Sequence, residues 1–185
     1  MSPKTSRRTT RGFTLVETLA ALSVSAVLTA IGTPQLSALV QARAVDAALT
    51  PFASALRLAK SEAMKRGEAV SVCALDDSSQ EGTARCTSGG GDWSHGWMVF
   101  VDRGQRGHFG SADVLVKVHQ ASKNGPEVKG TLHHISFQAT GVSINAAAHF
   151  DFMPGGKADV YGAKRVCLSK PGRLRTLPNV TDCTS

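Results

Sequence analysis

Five cations and no acid lie between positions 164 and 175: Lys164, Arg165, Lys170, Arg173 and Arg175. Guanidinium groups present forked donors that match phosphate oxygens, keep their charge at any physiological pH and can stack on bases. Pro171 and Gly172 turn the chain, and in an extended segment after them Arg173 and Arg175 project to one side. That arrangement suits a polyanion. No base-reading helix or aromatic platform accompanies it, so contacts are expected mainly to a nucleic-acid backbone, sequence-independent, salt-sensitive and individually weak. The plainer reading is a solvated basic loop, or one that meets acidic patches on neighbouring proteins.

A second chemical group is a lone carboxylate. Glu17 sits five residues into an apolar run that begins directly after Gly12. At mid-bilayer such a carboxylate costs about 2.5–3.5 kcal/mol, less near the interface, so its presence asks for a reason. The third set is four cysteines, Cys73, Cys86, Cys167 and Cys183. Their even number, beside an export-type segment, points to disulfides in an oxidising compartment. Three pairings are possible; Cys73–Cys86 and Cys167–Cys183 are favoured because each closes a short local loop. A metal site is disfavoured, since there is no Cys-x-x-Cys and no His at ligand spacing.

Catalytic constellations are missing. The six histidines are scattered, no G-x-S-x-G occurs, and Ser88-Gly-Gly-Gly-Asp92 lacks the Lys and Ser/Thr of a phosphate-binding loop. Asp76 and Asp77 are an adjacent acidic pair that reads as solvated. No catalytic, cofactor-binding or metal-binding residue is expected, and an anchored extracellular enzyme ranks last among the functions considered.

The elements that must position these groups follow from the hydrophobic pattern. Residues 1–12 are polar and basic, with Lys4, Arg7, Arg8 and Arg11, and lack the apolar core of an ordinary secretory signal. Those four charges are part of a net +7; without them the chain carries +3, and the 164–175 segment alone carries +5, so the rest is slightly acidic. Such a distribution argues for a local anionic partner. Residues 13–33 form an apolar run of roughly 30 Å as a helix, enough to span a bilayer core. Its basic flank sets the N-terminus on the cytoplasmic side and the remaining chain outside. Pro34 should bend or loosen the helix.

Helical periodicity resumes over 34–67. Leu36, Leu39, Val45, Leu49, Phe52, Leu56, Ala59 and Ala63 recur at mostly three- or four-residue spacings, leaving Arg43, Asp46, Arg57 and Lys60 for solvent. Pro51 is a local disturbance, and Gly67 after Lys65 and Arg66 is a natural stop. Residues 68–185 change period. Ala69–Leu75, Gly96–Asp102, Asp113–His119, His134–Phe137, Val142–Asn145, His149–Met153 and Arg165–Ser169 read as short strands between Gly- and Ser-rich loops. One long helix followed by many strands is an α+β pattern, with antiparallel sheets packed on the helix and a basic tail loop over 164–183.

Two sets of residues resemble a known family. The basic leader, Gly12-Phe13, Glu17 and Pro34 resemble the class III signal of type IV pilins and pseudopilins. That resemblance implies cleavage between Gly12 and Phe13 by a prepilin peptidase, N-methylation of Phe13, and pairing of Glu17 with a neighbouring subunit's N-terminal amine during assembly. Trp93-Ser-His-Gly96-Trp97-Met-Val-Phe-Val-Asp102 and Ile135-Ser-Phe-Gln-Ala-Thr-Gly141 resemble signatures of the GspH/FimT group, whose fold is pilin-like. Core packing is the expected work of Trp93 and Trp97. Gly172-Arg173-Leu-Arg175 resembles the G-R-x-R DNA-binding motif in the tail of FimT-like minor pilins associated with natural transformation. The implied function is therefore a minor pilin that binds DNA through Arg173 and Arg175, with Lys164, Arg165 and Lys170 as possible contributors. Its implied partners are DNA, other pilins or pseudopilins, the peptidase and, before assembly, the inner membrane, with the domain in the periplasm and later on a pilus or at the cell surface. The alternative is a GspH-like minor pseudopilin of type II secretion, acting in a periplasmic pseudopilus through protein contacts.

Overall fold

A computed structural model describes residues 12–79, 82–145 and 147–183, apart from the side chains of 31–35. The leader charges Lys4, Arg7, Arg8 and Arg11 lie outside these residues, as does the side chain of Pro34, where a bend is expected. The helix α1 spans Leu15–Arg66. Its first turn is capped by Thr14, whose Oγ1 accepts the Glu17 N–H at 3.3 Å. Thr14 and Glu17 thus stand in the Thr-x-x-Glu spacing of a capping box, of which the Thr14 side-chain bond is formed.

The chain divides into two compact units, residues 1–37 and 38–185. In the first, Phe13 and the large apolar helix side chains through Leu28 are exposed, from 82% at Phe13 to 58% at Leu19. Among the described residues no helix is long and apolar enough to cross a membrane. The span expected over 13–33 extends into residues 31–33, whose side chains lie outside the described set.

The second unit is built on the C-terminal part of α1. Eight strands follow: β1 Val70–Ala74, β2 Gly96–Val101, β3 Val114–Gln120, β4 Glu127–Gly130, β5 His134–Phe137, β6 Ala148–Met153, β7 Lys164–Leu168 and β8 Leu174–Pro178. They form two four-stranded sheets in the orders β3-β2-β1-β5 and β4-β6-β7-β8, antiparallel throughout. Helix residues Val45, Phe52, Leu56, Ala59 and Ala63 share one core cluster with Val72, Trp97, Val99 and Ile135 of the first sheet and Phe150, Phe152, Val166 and Leu168 of the second.

Phe52 is the hub of that core. Its ring meets Trp93, Trp97, Phe150 and Phe152 edge-on at centroid distances of 5.4, 5.1, 4.8 and 5.4 Å. Trp93 Nε1 donates to the Leu132 carbonyl at 2.8 Å, which offsets the desolvation of its indole. Strand β2 alternates as its sequence implies, with Trp97, Val99 and Val101 toward the helix and Met98 and Phe100 on the other face. Met98 and Phe100 are also buried, beside the Cys73–Cys86 disulfide and Leu75.

Three expectations change. Val142–Asn145 is not a strand: only Ser143 makes a bridge, to Phe137, because Gly141 turns the chain and Asn145 Oδ1 accepts the Ser136 N–H. The strands β4 and β8 were not read from the pattern. The helix also continues through Pro51 without interruption, held by the buried residues on either side of it.

Half-buried imidazoles give the unit a pH dependence. Burial holds His119, stacked on Trp97 at 4.2 Å, and His134 below the usual imidazole range. Lys117 adds to the effect at His119, and His133 and His108 add to it at His134, with Asp102 opposing. A group that holds its proton less well when folded contributes stability above its unfolded pKa and loses it as pH falls through the folded value. Burial of Asp92 works against its ionisation, but hydrogen bonds from Lys129 and Ser94 hold it at about 2, so its contribution persists to far lower pH. The melting temperature should therefore fall between about pH 7 and pH 5, and the fall should shrink in His134→Gln. Equal melting temperatures at the two pH values would contradict this account.

Candidate functional site

The basic segment folds into the β7–β8 hairpin at one edge of the second sheet. Its loop is pinned from inside. Gly172 N donates to the Ser169 carbonyl at 2.8 Å, Ser169 N to the Arg173 carbonyl at 3.0 Å, and Arg173 N to Ser169 Oγ at 3.2 Å. Gly172 has φ +77°, the left-handed residue a three-residue hairpin loop commonly needs at its last position.

The loop is also pinned from outside. Lys60, on α1, donates to the carbonyls of Pro171 and Gly172 at 3.0 and 3.3 Å, and the Ser143 N–H donates to the Lys170 carbonyl at 2.9 Å. Lys60 is therefore not the solvent-facing residue that helical periodicity implies. Asp46 remains about half exposed but also pairs with Lys164. Both contacts join residues more than a hundred positions apart, and no local signal could have found them.

The hairpin register sets the outer face. His149 on β6, Cys167 on β7 and Arg175 on β8 form one cross-strand row. Cys167 is bridged to Cys183 with a Cα–Cα distance of 5.8 Å, which ties the C-terminal segment to this face. A groove of about 490 Å³ runs here, lined by His149, Arg173 and Arg175, with the disulfide, Pro171 and Leu168 among its apolar walls. None of its described lining residues is acidic. Arg173 and Arg175 are exposed.

The other cations of the segment are placed differently. Arg165 is bound bidentately by Asp151, Nε at 2.6 Å and Nη2 at 2.8 Å, and donates to the Thr181 carbonyl at 3.1 Å. The hydrogen bond it donates to Asp151 raises its pKa further, so it is a permanent clamp on the C-terminal segment. Lys164 pairs with Asp46 beside the helix. Lys170 is exposed at the hairpin tip. Of the five cations, Arg173 and Arg175 line the groove and Lys170 flanks it, while Lys164 and Arg165 hold the fold together. His149 lines the same groove and was not singled out from sequence, since nothing local marks it.

At the other end of the chain, Gly12 and Phe13 are exposed just before the first helical turn. Among the described residues no group of three or more His, Cys, Asp or Glu side chains is arranged to hold a metal ion.

Comparison with known proteins agrees with this architecture. Residues 48–172 match the family described as Type II transport protein GspH, and residues 7–33 match the Prokaryotic N-terminal methylation motif. The first match ends at Gly172, so Arg173 and Arg175 lie beyond it. Two crystal structures of the Pseudomonas aeruginosa (strain PAO1) type IV minor pilin FimU are similar in fold. Both are 22% identical, with TM-scores of 0.53 and 0.54; each covers 72% of this chain, and 92% and 88% of the FimU chains. No sequence among the curated proteins matches the chain.

Proposed function

The chain belongs to the GspH family of pilin-like proteins, and from that premise we propose that it is a minor pilin that binds DNA through its C-terminal hairpin. It is a structural subunit, not an enzyme. The observation that carries the DNA reading is the groove, with no acid among its described lining residues, in which Arg173 and Arg175 project from a hairpin braced by Lys60, Ser143 and the Cys167–Cys183 bridge. Bracing lowers the ordering cost of binding, because the loop is already held in shape.

In this reading the prepilin peptidase cuts between Gly12 and Phe13 and methylates Phe13. The subunit waits in the inner membrane with its domain in the periplasm, then enters a pilus in which Glu17 meets the N-terminal amine of a neighbour. The domain would display its arginines for DNA uptake in natural transformation. A pseudopilin working by protein contacts in type II secretion is the second reading, favoured by the family that residues 48–172 match.

The test is a titration of the full chain, in neutral detergent, with duplex DNA at two salt concentrations. Two phosphate contacts predict an affinity about tenfold weaker at 200 mM than at 50 mM salt, with little dependence on DNA sequence. Arg173→Ala with Arg175→Ala should weaken binding at least about tenfold and flatten the salt dependence. Binding that ignores salt, or survives the double substitution unchanged, would refute the site. Intact transformation with lost secretion in cells lacking the protein would favour the pseudopilin reading.

A further inference from the structure

His149 is an imidazole placed among guanidiniums. Its backbone N–H is held by Thr131 Oγ1 at 3.2 Å, and the antiparallel register sets it opposite Cys167, with Arg175 next in the row. Adjacent strands are about 4.8 Å apart, so His149 and Arg175 stand about 10 Å apart with the Cys167–Cys183 bridge between them. With Arg173 they line one groove. Resting on the DNA reading above, we propose that His149 is a third phosphate-binding side chain of this groove, and that binding DNA takes up a proton at its ring.

Charged and titratable groups face His149 from several elements. On its own strand the next residue of that face is Asp151, already neutralised by Arg165 of β7. From β8 and its loop come Arg175 and Arg173, both cationic. The C-terminal segment brings Asp182 next to the bridged Cys183, and Asp182 acts on Arg165. The segment after β4 contributes Thr131, with His133 two residues on and hydrogen-bonded to His134 at 3.0 Å. Among the described residues no carboxylate lines the groove. A bound phosphate favours the charged imidazolium over the neutral ring. One proton then moves from solvent to the ring nitrogen lacking hydrogen, and the imidazolium N–H donates to a phosphate oxygen in a charge-assisted bond.

The consequence is binding that strengthens with acidity across the range in which imidazoles ordinarily titrate. The full chain in neutral detergent should bind duplex DNA roughly fivefold more tightly at pH 5.5 than at pH 7.5 at fixed salt, with circular dichroism verifying the fold at each pH. His149→Gln should bind at both pH values with the weaker, pH 7.5 affinity. His149→Lys should bind at both with the tighter one. Calorimetry in buffers of different ionisation enthalpy should show net proton uptake for the native chain and a reduced uptake for both variants. A native affinity equal at the two pH values, or a pH dependence undiminished in His149→Gln, would overturn this proposal while leaving the arginine site standing. An absence of DNA binding at either pH would overturn both.

Discussion

Phe52→Ala is expected to destabilise the 38–185 unit by about 3–5 kcal/mol, the range for removing a fully buried phenyl ring. No other side chain touches so many of the large core rings. Phe52 meets two tryptophans and two phenylalanines edge-on, each within 5.4 Å. Trp93 and Trp97 come from the first sheet and the loop before it, Phe150 and Phe152 from the second, so this ring joins the helix to both layers at once. The neighbours cannot collapse into the void without moving strands that are paired on both sides, so most of the cavity should persist. Denaturant unfolding would measure the loss, and tryptophan emission should shift to the red as Trp93 and Trp97 gain access to water. Phe52→Leu should cost far less, because it keeps most of the volume. A Phe52→Ala loss below about 1 kcal/mol would mean that the helix is not docked through this residue.

Phe52 was legible in the sequence as one of a helical series of apolar positions, and so was the alternation of Trp97, Val99 and Val101. The reason is that periodicity reports burial directly when an element has one dry face. It failed where burial was two-sided or contacts were distant. Leu36 and Leu39 fit the same helical series yet are exposed, because they lie before the point at which the sheets reach the helix. The β4 strand, Glu127–Gly130, is four residues long and carries two charges, too short to show a period. The β8 strand is only five residues long and ends in Pro178, which cannot donate to a ladder, and it forms because pairing to β7 and the Cys183 tether hold it. Within the site, Arg173 and Arg175 could be found from their types and spacing. Lys60 and His149 could not, since Lys60 reaches the loop, and His149 the groove, only through tertiary register.

That tertiary register makes Gly172 the position at which shape and charge can be separated. Gly172→Val leaves every cation in place, so a binding mode that depended on net charge alone would not notice it. The geometry says otherwise. Gly172 lies at φ +77°, where a β-branched residue is strained, and a Cβ there would come within 2.8 Å of the Gly141 carbonyl oxygen and 3.0 Å of Lys60 Nζ. The first neighbour is backbone within the turn that receives the hairpin loop; the second is the lysine that braces it. To accept the side chain, the loop must lift from the helix and lose the Lys60 bonds to Pro171 and Gly172. Arg173 follows directly and would be re-aimed. The expected loss of stability is about 1–3 kcal/mol from backbone strain, small beside that of Phe52→Ala, so the unit should remain folded. The loss of DNA affinity should be comparable with that of the double arginine substitution, about tenfold or more at low salt. Lys60→Met should reproduce part of it without touching the loop sequence, whereas Lys60→Arg, which can still donate to both carbonyls, should recover most of it. Affinity unchanged in a folded Gly172→Val protein would show that the two arginines act as mobile charges, and that the braced loop is incidental to binding.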